Sequence, residues 1–558
     1  MTNLRLRHYE LALTLLILGS LALNDYSFGT NDHTATLSWL KSLSDPRLYA
    51  LDITVAVKGR YLSFFYTLVE PLQRLLGWSH AFFAVYVLSR SLFFLSAYLI
   101  GLRLSGEKIV GLLAVMLLFF PRQALGGIAT LDTQVNERAL GLALSLLGVY
   151  HAISGRAIKA GLILALAAAV HAVTAVNLLI FVFFYQLIDA WLNGNAAAKL
   201  ASRLLAFAAP VCVVILLSIL GAGRSGGASL LTWVDPPWLE MIKLRSGHHF
   251  FPNYAQFGKL LGLGILTLAA LLKQDALKNG PLRLAAIAQM AALLSLVAGF
   301  AAGTLAIKVW PLLAAIDLCF FRASLALVIL SPISLAALWW RQMPRRHDVA
   351  IGVVIGLACL PASFYVLGLD ALALGMILAS PAPLLSGRLA AGPQGVSPAP
   401  GKVIFAAMLS FLLVAGLSSR PRWGGPTPAN LDAQNWLRQN TPADALILTP
   451  PDEDDFRIFS ERSTVGSYKD WTYNDLDRSF AFEMRRRLTD QCGVLSRATC
   501  GNFSNCRRTC GNHYRSMSTE AIAAVSRKYG ATHVVMACEN PQALKLLYTN
   551  GRYCVYKI

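Results

Sequence analysis

The chain has 558 residues, of which 56% are hydrophobic and only 14% charged, and its formal net charge is +19. Soluble domains carry about 25% charged residues and the mean hydropathy here is +0.53, so a soluble globular protein is excluded. The basic excess does not imply nucleic acid: Lys and Arg fall in short loops between apolar runs, as the positive-inside bias requires, and no basic tract with interleaved aromatics occurs.

The first apolar run, Leu11–Leu23, follows Arg5 and Arg7. Asn24-Asp25-Tyr26 is a poor small-residue cleavage site, so the run reads as a retained first span. Residues 24–60 form the first long polar segment and carry Asn31-Asp32-His33, Asp45 and Asp52. A carboxylate held outside the membrane near its surface can take a proton from an incoming hydroxyl. Asp32 is the first candidate for that base and Asp52 the second, with His33 beside the first; Asp45-Pro46 is explained as a turn.

Basic residues recur at alternate loops beyond this point: Arg103/Lys108, Arg156/Lys159, Lys199/Arg203, Lys273/Lys278/Arg283, Arg341/Arg345/Arg346 and Arg388/Lys402. Taken as cytoplasmic, they bound spans at 9–23, 79–102, 109–121, 138–155, a pair within 160–192, 204–222, 256–272, 284–303, 320–340, 349–366, 370–385 and 403–417, about 13 crossings. The amino terminus is then cytoplasmic and everything after Leu417 extracytoplasmic. Residues 160–192 are short for two crossings, about 16 residues or 24 Å each. That pair is expected to turn within the membrane or near its outer edge, with His171, Thr174 and Asn177 at the turn, either lining a cavity or bonded between helices.

Three further groupings fall on the same outer face. Asp132 precedes Asn136-Glu137-Arg138 at the start of a span, where a helix cap and a functional pair are both compatible with the pattern. Arg245-Ser-Gly-His248-His249 follows Lys243, a set of donors suited to a phosphate headgroup. Arg322 lies in the apolar run DLCFFRASLALVIL, where it needs a lipid phosphate or Asp317 as partner. No Gly-rich phosphate loop, nucleophile elbow or His-Glu zinc helix is present.

Residues 386–401 are a Pro/Gly-rich connection and 418–428 a linker into the tail. The tail reads as α/β: helix over 430–440, strands over 445–448, 457–460 and 464–467, helices over 473–488 and 519–529, strands over 533–537 and 553–558. Six of the nine cysteines, Cys492, Cys500, Cys506, Cys510, Cys538 and Cys554, fall here. An even cluster in a small polar domain favours disulfides and an oxidising compartment; a zinc site is the alternative, although the spacing lacks a paired C-x2-C.

The layout of a retained span, a long external loop with an acidic residue, the segment Arg60-Tyr-Leu-Ser-Phe-Phe-Tyr, many spans and an external α/β tail resembles the GT-C superfamily of membrane glycosyltransferases. In the tail, Trp436-Leu-Arg-Gln-Asn-Thr441-Pro442-Ala-Asp444-Ala445, Thr449-Pro450-Pro451, Phe456-Arg457, Ser460-Glu-Arg462, Lys469-Asp470 and Tyr529-Gly-Ala-Thr-His533 resemble a bacterial multi-pass family close to that superfamily. The Trp-Trp-Asp tail motif of oligosaccharyltransferases is absent, and Asn31-Asp32-His33 stands where mannosyltransferases open their loop with paired acids.

The resemblance implies an all-α polytopic GT-C-like domain at residues 1–417 and a C-terminal extracytoplasmic α/β domain at 418–558, in a bacterial inner membrane. It implies a hexosyl or pentosyl transferase taking a sugar from a polyprenyl-phosphate donor to a glycan, lipid or protein acceptor. Asp32 or Asp52 would be catalytic. His33, Glu137, Arg138, His171, Arg245, His248, His249 and Arg322 would contact substrate or lipid phosphate. A divalent cation, Mg or Mn, is a possible cofactor. A lipid or lipid-linked-sugar flippase and a non-catalytic assembly factor are the other functions compatible with the sequence; one short hairpin without a counterpart in the second half tells against the flippase.

Overall fold

A computed structural model describes residues 2–59, 63–222, 231–251, 253–272, 275–277, 280, 282–342, 423–493 and 503–558. The expected spans at 349–366, 370–385 and 403–417, the linker at 386–401, the segment Arg60–Leu62 and Cys500 lie outside these residues. The membrane part comprises α1 (Thr2–Leu23), α2 (His33–Ser44), α3 (Ile53–Lys58), α4 (Phe65–Leu76), α5 (Trp78–Ser105), α6 (Lys108–Leu117), α7 (Glu137–Ile153), α8 (Ala157–Leu192), α9 (Ala197–Ala222), α10 (Pro236–Phe250), α11 (Tyr254–Leu272), α12 (Arg283–Lys308), α13 (Leu313–Asp317) and α14 (Ser324–Gln342). Among the described residues, which hold ten of the thirteen crossings expected, six helical segments are long and apolar enough to cross a membrane. Their outer faces carry bare apolar side chains such as Leu162, Leu205, Leu216, Leu217 and Leu294. Apolar surface on that scale needs lipid against it, and the chain is a membrane protein.

α8 explains part of the difference in count. It is two helical arms that meet at His171, whose backbone is extended at φ −155° and ψ 92°. A straight helix would separate Ala160 from Gln186 by about 39 Å. Instead a Cβ on Gly148 would lie 3.5 Å from the Ala160 carbonyl, and Gln186 Nε2 donates to the Ala152 carbonyl at 3.2 Å. Both arms therefore reach the same end of α7, while His171 packs on Gly141 nearer its other end. The chain doubles back at His171, where the short pair was expected to turn.

The tail comprises α15 (Pro428–Asn440), α16 (Phe456–Ser460), α17 (Arg478–Cys492), α18 (Phe503–Arg515) and α19 (Thr519–Tyr529), with a five-stranded sheet. The shorter strands elsewhere are β1 (Tyr26–Ser27), β2 (Gln123–Ala124), β3 (Ile128–Ala129) and β4 (Trp423–Gly424); the sheet itself is β5 (Leu446–Leu448), β6 (Ser463–Thr464), β7 (His533–Ala537), β8 (Lys545–Thr549) and β9 (Tyr553–Lys557), in the order β6-β5-β7-β9-β8. Successive strand residues face opposite sides. Ile447, Val535 and Val555 pack with Ala433 and Leu437 of α15, whereas Leu448, Val534 and Met536 pack with Tyr514 of α18 and Ile522 of α19. Cys492–Cys510 joins α17 to α18, Cys538–Cys554 joins β9 to the end of β7, and Cys506 is also disulfide-bonded.

α19 falls at the predicted residues because its ends are written locally: Ser518 caps Ala521 N, and Gly530 follows at φ 77°. Residues 457–460, predicted as a strand, are instead helix α16, which Glu461 ends in the left-handed region at φ 53°. In that helix Arg457 is buried, with its Nε 3.0 Å from Asp52 of the opening loop.

Candidate functional site

The tail sits on one face of the membrane part, and the opening loop is the layer between them. β1 pairs in parallel with β4, and Ser27 N donates to Thr133 O. Gly29 turns at φ 72°, so close to the tail that a Cβ would lie 2.5 Å from the Phe459 ring. Thr34 Oγ1 donates to Asp454 O and Lys41 pairs with Glu461. From the other side, Trp238 Nε1 of α10 donates to Asn474 O.

A cavity of about 650 Å³ opens between the loop, α10 and the tail. Arg245 from α10 and Lys469 from the tail give it a cationic side, with His248 and His249 beside them. The lining also includes the run Asp452-Glu453-Asp454-Asp455 with Asn430, Arg507 and Tyr553. Asn31 contributes from the opening loop.

Asp32 lies beside this cavity. Its Oδ1 is 2.5 Å from Lys469 Nζ, and about a third of its side chain (35%) remains open to solvent. Burial among the surrounding protein atoms pushes the carboxyl up, but Lys469 and Arg138 together outweigh it and hold it well below the usual carboxylate range. The Asp32 N–H donates to Gln134 Oε1 at 3.2 Å, which fixes its backbone.

Asp52 has the opposite surroundings. Its side chain is fully enclosed, Oδ1 accepts from Thr54 N and Val55 N, and Oδ2 accepts from Thr464 N and stands 3.0 Å from Arg457 Nε. Arg457 is clamped on its other side by both oxygens of Asp470. This carboxylate caps α3 and locks the tail to the loop; with its acceptor sites occupied and no path to solvent, it is not placed for chemistry. His33 is likewise structural: Gly29 N donates to its Nδ1 at 3.1 Å and its Nε2 donates to Val135 O at 2.8 Å, so both ring nitrogens are committed to bracing the loop.

The remaining expected residues divide into two sets. Arg322 stands behind His249, its Nη2 3.2 Å from Nδ1, and donates from Nε to Gly126 O, the same carbonyl that His249 Nδ1 meets at 3.0 Å; it does not turn to Asp317. Arg245 is buried, with Nε on Tyr468 O and Nη2 on Thr472 Oγ1, so it holds the tail segment that carries Lys469. Glu137, Arg138 and His171 lie outside the cavity lining. Glu137 accepts from Tyr66 and pairs with buried Lys58, Arg138 pairs with Asp132, and His171 Nδ1 meets Thr174 Oγ1.

Sequence reasoning assigned no role to Lys58, Lys469 or the acidic run. The acidic run was visible as four consecutive carboxylates after Pro450-Pro451. Burial pushes Asp454 up to about 6 and Asp455 up to about 7, the latter helped by Glu453. Among the described residues no three His, Cys, Asp or Glu side chains stand close enough to hold a metal ion. The acidic run is engaged instead with Arg507, Arg515, Asn430 and Tyr553.

A family model described as a domain of unknown function, DUF6798, matches residues 429–478, which include α15, the acidic run and Lys469. No curated protein matches the chain. Among solved structures, the chain is similar to the archaeal oligosaccharyltransferase AglB from Archaeoglobus fulgidus in complex with an inhibitory peptide and a dolichol-phosphate, at 12% identity and TM-score 0.49 over 95% of this chain and 69% of that one. It is also similar to ArnT from Cupriavidus metallidurans bound to undecaprenyl phosphate, at 12% identity and TM-score 0.40 over 100% of this chain and 98% of that one.

Proposed function

We propose that the chain is a membrane glycosyltransferase that moves a hexose or pentose from a polyprenyl-phosphate carrier to an acceptor on the extracytoplasmic face, with Asp32 as general base. The observation that carries this reading is the pairing of a half-open carboxylate, Asp32, with the cationic side of a cavity on the same face as the tail. In the transfer, the acceptor oxygen bonds to the anomeric carbon of the sugar. The bond from that carbon to the phosphate oxygen breaks and its electron pair stays on the phosphate, while the acceptor proton passes to Asp32. The largest charge to develop is on the departing phosphate, and Lys469 and His248, which line the cavity, supply donors for it, with Arg322 behind His249. Arg245 and Arg138 act behind them, the first holding residues 468–472 and the second sharing the field at Asp32.

The test is Asp32→Asn in a strain whose surface glycans and glycoproteins are compared by mass spectrometry with those of a deletion strain. The variant is expected to reproduce the deletion while remaining folded. Retained transfer would remove Asp32 from the role, and an unchanged glycan profile in the deletion strain would remove the transferase reading.

A further inference from the structure

We propose that Lys469 is an exchange residue: its ammonium leaves the Asp32 carboxylate for the phosphate of an incoming polyprenyl lipid, so the base is freed only when the lipid is seated. This deepens the transferase reading and rests on it for the identity of the lipid.

Three observations carry the exchange. Lys469 is the cation in direct contact with Asp32, at 2.5 Å, and it also lines the cavity. Its backbone is pinned, because Lys469 N donates to Asp454 Oδ1 at 3.3 Å and the next-door Tyr468 carbonyl is held by Arg245. The side chain is therefore the part that moves: a compact ammonium on a flexible four-carbon stem. Its neighbour on the same side cannot do this, since Arg245 is buried with its guanidinium committed to Tyr468 and Thr472.

Charge decides the direction. While Lys469 is in place, Asp32 sits well below the usual carboxylate range and is a poor proton acceptor. Arg138 from α7 and His33 from the loop also face it, with Tyr473, Arg245 and His248 farther off. The donor's phosphodiester brings one negative charge into the cavity that Lys469 lines, a second charge develops on it as the bond to the sugar breaks, and the strongest hydrogen bonds are those between ionised partners. When the ammonium turns to it, Arg138 remains on Asp132 and Asp32 loses its closest cation.

The experiment measures binding rather than turnover, with the purified full chain and undecaprenyl phosphate as probe, and undecaprenol as its neutral counterpart. Lys469→Met is expected to weaken undecaprenyl phosphate binding about tenfold, as loss of one charge-assisted contact does, and to leave undecaprenol binding unchanged. Asp32→Asn is expected to tighten undecaprenyl phosphate binding several-fold, since the competing carboxylate is gone, and Lys469→Arg to restore most of the loss. Asp32→Asn binding the phosphate lipid no tighter than the parent overturns the exchange, as does Lys469→Met binding it no more weakly. If the parent transfers no sugar yet shows this binding pattern, the transferase reading fails and the exchange stands; if it transfers sugar while Asp32→Asn binding is unchanged, the exchange alone fails.

Discussion

The two ends of the opening loop make opposite use of the same side chain. At one end Asp32 has a single mobile partner and a third of its side chain in solvent. At the other, Asp52 accepts three backbone hydrogen bonds, faces Arg457 and sees no solvent. A carboxylate saturated by fixed donors is part of the frame. One held by a flexible ammonium beside a cavity can be released when that ammonium moves, and availability rather than sequence position separates them.

The contrast breaks most sharply at Asp32 itself. Replacing a general base costs about 10²- to 10⁴-fold in rate, so Asp32→Asn should lose transfer by that factor while the protein stays folded, measured side by side on purified protein. Asp52→Ala should do the reverse. Removing one partner of a buried ion pair costs about 3–5 kcal/mol, so denaturant unfolding should show the loss, while the rate per folded molecule stays within a few-fold of the parent. If Asp52→Ala abolished turnover in folded protein, the division of labour within the loop would be wrong.

A third experiment sharpens the comparison by testing the tail as a separately stapled body. Cys492–Cys510 and Cys538–Cys554 span separations of 18 and 16 residues. Closing loops of that size is worth about 3 kcal/mol each in the chain-entropy picture. Cys538→Ser with Cys554→Ser should lower the tail's unfolding transition accordingly and leave the first transition of the membrane part in place.

The smallest effect is expected in pH dependence. Asp455 titrates near 7 in the folded protein because burial, with Glu453, disfavours its charge. A raised carboxyl takes up a proton on folding, so its contribution is fully present below the unfolded value near 4 and is lost as pH rises towards 7. Unfolding free energy of the parent should fall across that window, and Asp455→Asn, which cannot ionise, should flatten the slope. An identical slope in the variant would place the proton uptake elsewhere, with Asp454 the next group to test.

Much of the architecture was legible in the residues because its causes are local. Apolar runs long enough for hydrocarbon mark spans wherever they occur, and the reversal at His171 follows from two crossings being too short to be straight. The strand at His533–Ala537 and the helix at Thr519–Tyr529 are bounded by their own turns and caps. The cationic side of the cavity was legible too, since Arg245, His248 and His249 are neighbours in the chain. What could not be read was partnership across the chain. Asp52 and Thr464 are 412 residues apart, and nothing near Asp52 announces that the tail will seal it. Lys469 lies in the tail and Asp32 in the opening loop, so their contact exists only once the tail packs on the loop. Hydrophobic period and capping are properties of a segment and travel with its sequence. Whether a carboxylate keeps its charge, its solvent and its freedom depends on which distant groups the fold brings within a few ångströms, and only the tertiary structure decides that.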